Sequence, residues 1–207
     1  MENLIINMVG DIPTVTKSWA AGTVLISILT KAKLIDENKK LYNFDLAFKK
    51  GQYWRVIYSL FDYGRLNWIS TLDIILSVNY LSSLETSIAR KTRFLWMISL
   101  LSAILIILSK WAQPLSSLGQ LLYANLAYYK KRRDMQANLH RDWISIPLVL
   151  SCAAKLFAYP MMHFSLIQLT MEFLPGHLLF FLAEVMSRIY DVDLCEPPTR
   201  WFTREQA

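Results

Sequence analysis

Residues 51–68 read GQYWRVIYSLFDYGRLNW, and this stretch decides how the rest of the chain is interpreted. Aromatic rings and cations alternate along it, and apolar segments with the character of membrane spans lie on both sides. Trp and Tyr are favoured at the headgroup level of a bilayer, where one end of the ring is dry and the other is wet. By itself the stretch is equally compatible with an ordinary aromatic belt beside a single span, so the flanking sequence is needed to interpret it.

The composition of the 207 residues is typical of a membrane protein. Hydrophobic residues make up 54% of the chain and charged residues 18%, whereas a soluble domain has about 25% charged residues. The net charge of +6 favours contact with the anionic headgroups of a lipid bilayer. Because the basic residues lie between apolar runs and form no stripe on a soluble fold, no nucleic acid partner is expected.

Six apolar runs are candidate membrane-spanning helices, for which roughly 20 mostly apolar residues are needed. Several runs are short or carry a charge, so a soluble all-α protein with buried helices is the alternative. The predicted spans are residues 18–30, 66–84, 94–109, 111–129, 143–159 and 165–187. The sequence therefore predicts an all-α, polytopic membrane protein with one domain over residues 1–207 and a short tail at each end.

The distribution of Lys and Arg in the connections predicts how the spans are oriented. Eight basic residues lie in the connections 85–93 and 130–142, against Lys110 alone in the two alternate short connections. Basic loops stay in the cytosol, so both termini are expected to be cytosolic. The long first loop disagrees, because it places six cations on the far side: Lys39, Lys40, Lys49, Lys50, Arg55 and Arg65.

An interfacial segment in the first loop would account for these cations. Residues 44–61 are compatible with a short amphipathic helix, whose apolar face enters the headgroup region while its cations meet phosphates. A water-soluble luminal loop with a small core of its own is the alternative.

Polar side chains inside the spans are candidate functional residues, since such groups are costly in a membrane and face a partner, a cavity or water. The set is Asp73, Asn79, Lys155, Glu172 and Glu184. These residues form either a network that fixes helix packing or a hydrated groove, with Asp73, Asn79 and Lys155 as its candidates, through which polar polypeptide moves. A coupled transporter is a weak alternative, because the chain shows no repeated halves. The two cysteines, Cys152 and Cys195, lack metal-ligand spacing, so neither a metal nor a cofactor is expected.

Several short motifs share the order and spacing of one family. Trp54-Arg55 in the first loop is followed six residues later by Phe61, and residues 10–16 precede Trp19. Residues 80–85, which end in Leu-Glu, and residues 176–181 are further matches. Together these motifs resemble the Derlin family, whose members are catalytically inactive relatives of the rhomboid proteases. Three stretches, 48–53, 59–64 and 193–195, resemble its short fungal branch, which acts in degradation at the endoplasmic reticulum (ER).

The resemblance implies a rhomboid-like bundle of six transmembrane helices and raises the question of protease activity. Rhomboid proteases use a serine in Gly-x-Ser-Gly on the fourth span and a histidine on the sixth, and the two must lie within hydrogen-bond reach. Gly119 takes the place of the nucleophile here, and Ser116 and Ser117 lack the framing glycines. Phe173 takes the place of the base, while His177 is displaced to another side of the helix. An active serine protease is therefore disfavoured, and no catalytic residue is predicted.

The family implies a non-enzymatic role in ER-associated degradation, in which misfolded luminal proteins return to the cytosol. The expected partners are a membrane ubiquitin ligase complex with a HERP-like scaffold, and a purely structural membrane adaptor is the alternative. Trp54 and Arg55 are then the loop signature, and Gly176 and His177 are packing residues of the sixth span. Phe180 stands where the family often has the second glycine of Gly-x-x-x-Gly. Residues 188–207 lack the Phe-x-Gly-type motif that recruits an AAA ATPase, so direct ATPase binding is not expected.

Overall fold

The computed structural model describes residues 12–35, 41–63, 67–88, 90–113, 115, 117–137, 166–190 and 194–198. These residues form helices joined by turns, with a single isolated β-bridge among them. The first five helices are α1 (Thr14–Lys31), α2 (Trp54–Phe61), α3 (Trp68–Ser87), α4 (Lys91–Leu108) and α5 (Leu118–Ala137). All but α2 have 18 to 20 residues, which corresponds to about 27–30 Å of helix. The predicted spans 18–30, 66–84 and 94–109 fall on α1, α3 and α4, whereas the span 143–159 lies outside the described residues.

The fourth predicted span, residues 111–129, is wrong at its beginning. The described residues between α4 and Leu118 are turns and extended chain, and α5 begins at Leu118. Leu115 forms the β-bridge with Tyr42 of the first loop, and the Leu118 N–H donates to Ser59 Oγ at 2.9 Å. These contacts with the first loop satisfy backbone groups outside a helix, so the helix starts later. The part of α5 that precedes Lys130 is therefore short, about 18 Å.

The last described helical segment is interrupted. Helix α6 (Leu166–Met171) ends before a short turn, and α7 (Leu174–Phe180) starts with Pro175 in its first turn, where a missing N–H is no loss. A π-helical turn (Phe181–Val185) then continues into α8 (Met186–Tyr190). The predicted span 165–187 therefore contains a break near its start.

The first loop contains two short helical segments in place of one amphipathic helix. A π-helical turn (Asp45–Lys49) comes first, α2 comes second, and Gly51 lies between them with a φ of +67°. This left-handed conformation favours glycine. The rings of Phe44, Phe48 and Tyr53 contact one another in sequence, with centroids 4.8 and 6.1 Å apart. Burial raises the pKa of the neighbouring Tyr42 phenol, whose oxygen lies 2.9 Å from Ser109 Oγ.

The beginning of α1 is held by the end of α3. Pro13 precedes α1 and provides no side-chain cap. Instead, the Glu85 carboxylate accepts the N–H groups of Val15 and Thr16 at 3.1 and 2.8 Å, and the Thr16 hydroxyl at 2.8 Å. Glu85 is 5% exposed. The first N–H groups of a helix lack internal partners and carry partial positive charge, so a carboxylate is a suitable cap.

The end of the bundle that contains Glu85 also gathers basic side chains, and we call it the basic end. Its cations come from the start of α4 and from the second half of α5, and each contacts another element: Arg90, Lys91, Lys130 and Arg133. At the opposite end, Trp68 at the start of α3 and Trp111 after α4 expose most of their indole rings. Exposed Trp side chains are typical of a membrane interface, and Lys110 beside Trp111 shows that this end carries a cation as well.

Residues 194–198, which we call the tail segment, fold back against the basic end. The Trp96 indole N–H donates to the Leu194 carbonyl at 3.2 Å, and Arg90 pairs with Glu196 at 3.3 Å. Cys195 lies between these contacts and is fully buried in the hydrophobic core. The tail segment is therefore part of the packed structure.

Among the described residues, α4 is the one helix that is long and apolar enough to cross a membrane, with a mean hydropathy of 1.8. Its buried residues recur every three or four positions, as expected for one face of a helix: Phe94, Met97, Ile98, Leu101 and Leu105. Leu95 and Ile107, on its other side, are exposed.

Candidate functional site

The position at which the resemblance predicts the rhomboid nucleophile, Gly119, faces protein backbone. Gly119, in the first turn of α5, packs against the end of α2. A Cβ atom on Gly119 would lie 2.4 Å from the Leu60 carbonyl oxygen and 3.4 Å from that of Asp62. No side chain, and hence no hydroxyl nucleophile, fits at this position without displacing the first loop.

Ser117, the nearest described serine, is engaged in structural hydrogen bonds. Its hydroxyl donates to the carbonyl of Asp62, and its Oγ accepts the N–H of Gln120 at 3.2 Å. Ser117 thus caps α5 and ties its first turn to the first loop. Ser116 lies outside the described residues.

His177 contacts a different part of α5. Its Nδ1 lies 3.1 Å from the hydroxyl of Tyr128, and the two rings meet edge to face. Tyr128 is three helical turns beyond Ser117, about 16 Å along the axis. Phe173, which the resemblance places at the rhomboid base, packs its ring with the centroid 6.3 Å from that of Tyr128. A serine–histidine pair is therefore not assembled by the described serines and His177.

Gly176 lies where α7 approaches α5 most closely. A Cβ atom at Gly176 would lie 2.5 Å from the Asn125 carbonyl oxygen, so the two backbones touch. The Asn125 side chain completes this contact: Oδ1 accepts the Gly176 N–H at 2.7 Å, and Nδ2 donates to the carbonyls of Met171 and Leu121, each at 2.8 Å. Asn125 is fully buried. The sequence patterns did not single out Asn125, although an amide in a mostly apolar helix segment, which also contains Gln120, was the available signal.

Replacing Asn125 with alanine is expected to lower the free energy of unfolding by about 2 kcal/mol, because the buried Gly176 N–H and Met171 carbonyl lose their partner. The measurement is the thermal unfolding midpoint of the purified protein in mild detergent. Ser99→Ala on α4 is the matched control, since the exposed Ser99 hydroxyl bonds a carbonyl of its own helix. Equal midpoints for wild type and Asn125→Ala would contradict the assigned role.

The two signature residues of the first loop have different environments. The Arg55 guanidinium donates to Gln52 Oε1 at 2.6 Å and to the Leu41 carbonyl at 3.2 Å, and thereby holds the loop together. Trp54 is 45% exposed, and Tyr53 and Ile57 beside it are exposed as well. Arg55 thus supports the loop, while Trp54 belongs to an outward apolar surface.

The polar residues predicted on α3 do not share one environment. Asp73 is half-buried and Asn79 is exposed. Ser77 between them is buried and donates to the Ile74 carbonyl at 2.8 Å. The Tyr63 side chain at the end of the first loop is also buried. Lys155, the third candidate for a groove, lies outside the described residues.

The two glutamates predicted in the sixth span are also placed apart. Glu172 is half-buried in the turn between α6 and α7. Glu184, in the π-helical turn, accepts the Tyr129 hydroxyl at 3.1 Å and lies 3.8 Å from Arg133 Nε. Glu184 therefore joins the C-terminal helices to the second half of α5.

Comparison with known proteins gives two consistent results. A model of the Der1-like family matches residues 12–198. The chain is also 40% identical, over 206 residues, to the Saccharomyces cerevisiae protein "Degradation in the endoplasmic reticulum protein 1". That alignment covers 98% of this chain and 97% of the yeast protein. The resemblance seen in the motifs is confirmed: the chain belongs to the Der1-like family.

Proposed function

We propose that this protein is a non-catalytic component of ER-associated degradation that assists the retrotranslocation of misfolded luminal proteins to the cytosol. The observation that carries the proposal is the relationship, over nearly the full length of both chains, to a protein named for degradation in the endoplasmic reticulum. The protein would act in the ER membrane as part of a protein-conducting path with a membrane ubiquitin ligase complex and a HERP-like scaffold.

The absence of protease chemistry is supported by the geometry around α5. Nucleophilic catalysis requires a hydroxyl and a base within hydrogen-bond reach. Gly119 has no room for a side chain, the Ser117 hydroxyl is bonded to the Asp62 carbonyl, and His177 pairs with Tyr128. Each of these three positions is occupied by a packing contact.

The arrangement of the helix ends supports a bundle of six spans with both termini in the cytosol. The start of α1, the end of α3 and the start of α4 meet at the basic end, where the tail segment also packs. Helices α5 and α7 run in the same direction, as indicated by the successive contacts of Asn125 with Gly176 and Tyr129 with Glu184. Loops rich in Lys and Arg remain cytosolic, so the basic end is assigned to the cytosolic side.

The short apolar part of α5 supports a path across a thinned bilayer. Residues 118–129 cover about 18 Å, whereas the hydrocarbon core of a bilayer is about 30 Å thick. A short hydrophobic length is accommodated by local thinning of the membrane. Thinning next to the polar side chains of α3 would lower the free-energy cost of moving a hydrated polypeptide across.

The proposal is tested by changing polar residues of α3 to apolar ones. The double variant Asp73→Leu/Asn79→Leu is expected to slow the decay of a misfolded luminal substrate at least threefold in cells, because the polar surface of the path is lost. Co-purification of the ubiquitin ligase complex in mild detergent is expected to stay unchanged. Ser99→Val on α4, which changes an exposed hydroxyl away from α3, is the control.

Other outcomes identify the competing functions. A structural adaptor is indicated if the double variant leaves substrate decay unchanged. In that case substrate decay is lost only in variants that no longer co-purify with the ligase complex. A substrate fragment that disappears in Ser117→Ala or His177→Ala indicates a protease. Either result overturns the proposed path.

A further inference from the structure

The facing ends of α3 and α5, which we call the cleft, place two cations opposite two hydroxyl groups. Lys130 Nζ contacts Ser83 Oγ. One turn further along α5, Arg133 donates to Ser87 Oγ at 3.3 Å and to the Ser87 carbonyl at 3.2 Å. The pairs repeat because residues three or four apart share one side of a helix. An ammonium, a guanidinium and two hydroxyl groups therefore lie along one side of the contact between the helices, about one turn apart.

The two cations differ in their charge compensation, because Arg133 has Glu184 as an ion-pair partner. No carboxylate in the described part of the chain lies within ion-pair distance of Lys130. Glu184 approaches the Nε side of Arg133 at 3.8 Å, while both Nη atoms point to Ser87. Glu85 lies close by in sequence, but its two oxygens accept hydrogen bonds from α1. For Lys130, the neutral Ser83 hydroxyl is a weak partner in comparison with an anion.

An exposed strip on α3 leads from the cleft along the helix. Its members are spaced by three or four residues, are exposed, and change from hydroxyl to aromatic to aliphatic: Ser87, Ser83, Tyr80, Leu76 and Leu72. The Tyr80 ring lies 5.5 Å from Lys130 Nζ and packs edge to face with Tyr123. The strip is complementary to a phospholipid. Its basic end suits a phosphate group, and its aromatic and aliphatic side chains suit an acyl chain.

We propose that this strip is a lipid site, in which Lys130 and Arg133 bind the phosphate of an anionic phospholipid and Tyr80, Leu76 and Leu72 contact one acyl chain. Basic pockets between helices on the cytosolic side of a membrane recognise such headgroups. The acyl strip favours a phospholipid over free phosphate as the source of the anion. The strip shares its face of α3 with the exposed Asn79, so a bound lipid would lie beside the proposed path, although binding it requires neither a substrate nor a partner protein.

The test is binding of dioctanoyl phosphatidic acid to the full-length protein in neutral detergent, measured by native mass spectrometry. Lys130→Gln is expected to weaken binding about tenfold, because a charge-assisted hydrogen bond is lost. Lys130→Arg is expected to restore it. Lys131→Gln, which removes the same charge from the neighbouring residue of α5, is the matched control and is expected to change binding by less than about twofold.

Two further arms separate specific lipid binding from other sources of affinity. Leu76→Ser is expected to weaken the lipid about fivefold through lost acyl contact, and inorganic phosphate at the same concentration is expected not to compete. The proposal is overturned if Lys130→Gln binds like the wild type, or if Lys131→Gln loses as much. Equal competition by inorganic phosphate overturns the lipid as the source. Ser83→Ala keeps both cations and is expected to weaken lipid binding about threefold. It tests the same site if Lys130→Gln fails to fold.

Discussion

Replacing Glu85 with alanine is expected to lower the free energy of unfolding by about 4 kcal/mol, since three hydrogen bonds to a charged acceptor are lost together. The N–H groups of Val15 and Thr16 would remain buried in the first turn of α1 without a partner. For a protein of this size the loss corresponds to a fall of about 10 °C in the thermal midpoint. Thermal unfolding in mild detergent measures it, and a lower steady-state level of the protein in cells is the accompanying result.

Two variants define the origin of this effect. Glu85→Gln keeps an acceptor oxygen and loses the charge, so it is expected to fall between wild type and alanine. Asp45→Ala removes an exposed carboxylate whose partner is Lys49, and a change below about 0.5 kcal/mol is expected there. If Glu85→Ala unfolds at the wild-type temperature, the cap does not hold α1.

Introducing serine at Gly119 is expected to destabilise the protein by about 3 kcal/mol and to create no protease, because overpacking against backbone is costly. The new Cβ atom would lie 2.4 Å from the Leu60 carbonyl oxygen, so α2 or α5 has to shift. Even with the serine present, His177 would remain paired with Tyr128 further along α5. The measurements are the thermal midpoint and a search for cleaved fragments of a membrane substrate.

Ala127→Ser is the matched control for Gly119→Ser. It adds a hydroxyl to a half-buried residue of α5, and a change below about 1 kcal/mol is expected. A Gly119→Ser protein with wild-type stability would show that the first loop does not pack tightly on α5. A new cleavage product that requires His177 would refute the inactive assignment.

Helix α4 was predictable from local sequence, whereas the start of α5 was not. The uncharged, mostly apolar run between Arg93 and Lys110 is enough to predict this helix, without knowledge of contacts with other parts of the chain. Residues 111–117 contain Pro114 and Ser117, which are compatible with a later helix start, but the contacts of Tyr42 and Ser59 with this backbone come from far along the chain. Periodicity and hydropathy contain no information about contacts with residues so distant in the chain.

The candidate site shows the same division. The expectation of no catalytic pair rests on the identities of Gly119 and Phe173, which the resemblance places at the nucleophile and the base, and it stays a prediction. The role of Glu85 was visible only as a Leu-Glu motif of the family, since its partner Thr16 is 69 residues away. Asn125 gave no motif at all. Its importance arises from the approach of Gly176, which depends on the packing of two helices.

The buried tail segment has a consequence for quality control of the protein itself. Leu194, Cys195 and Glu196 complete contacts with Trp96, the core and Arg90. A truncated product that stops before residue 194 would therefore expose an unfinished core at the basic end and resemble a misfolded membrane protein. In such a truncation, defective folding and loss of a C-terminal partner-binding motif would both reduce function. Studies of the C-terminus should therefore preserve residues 194–198 and alter only residues 199–207.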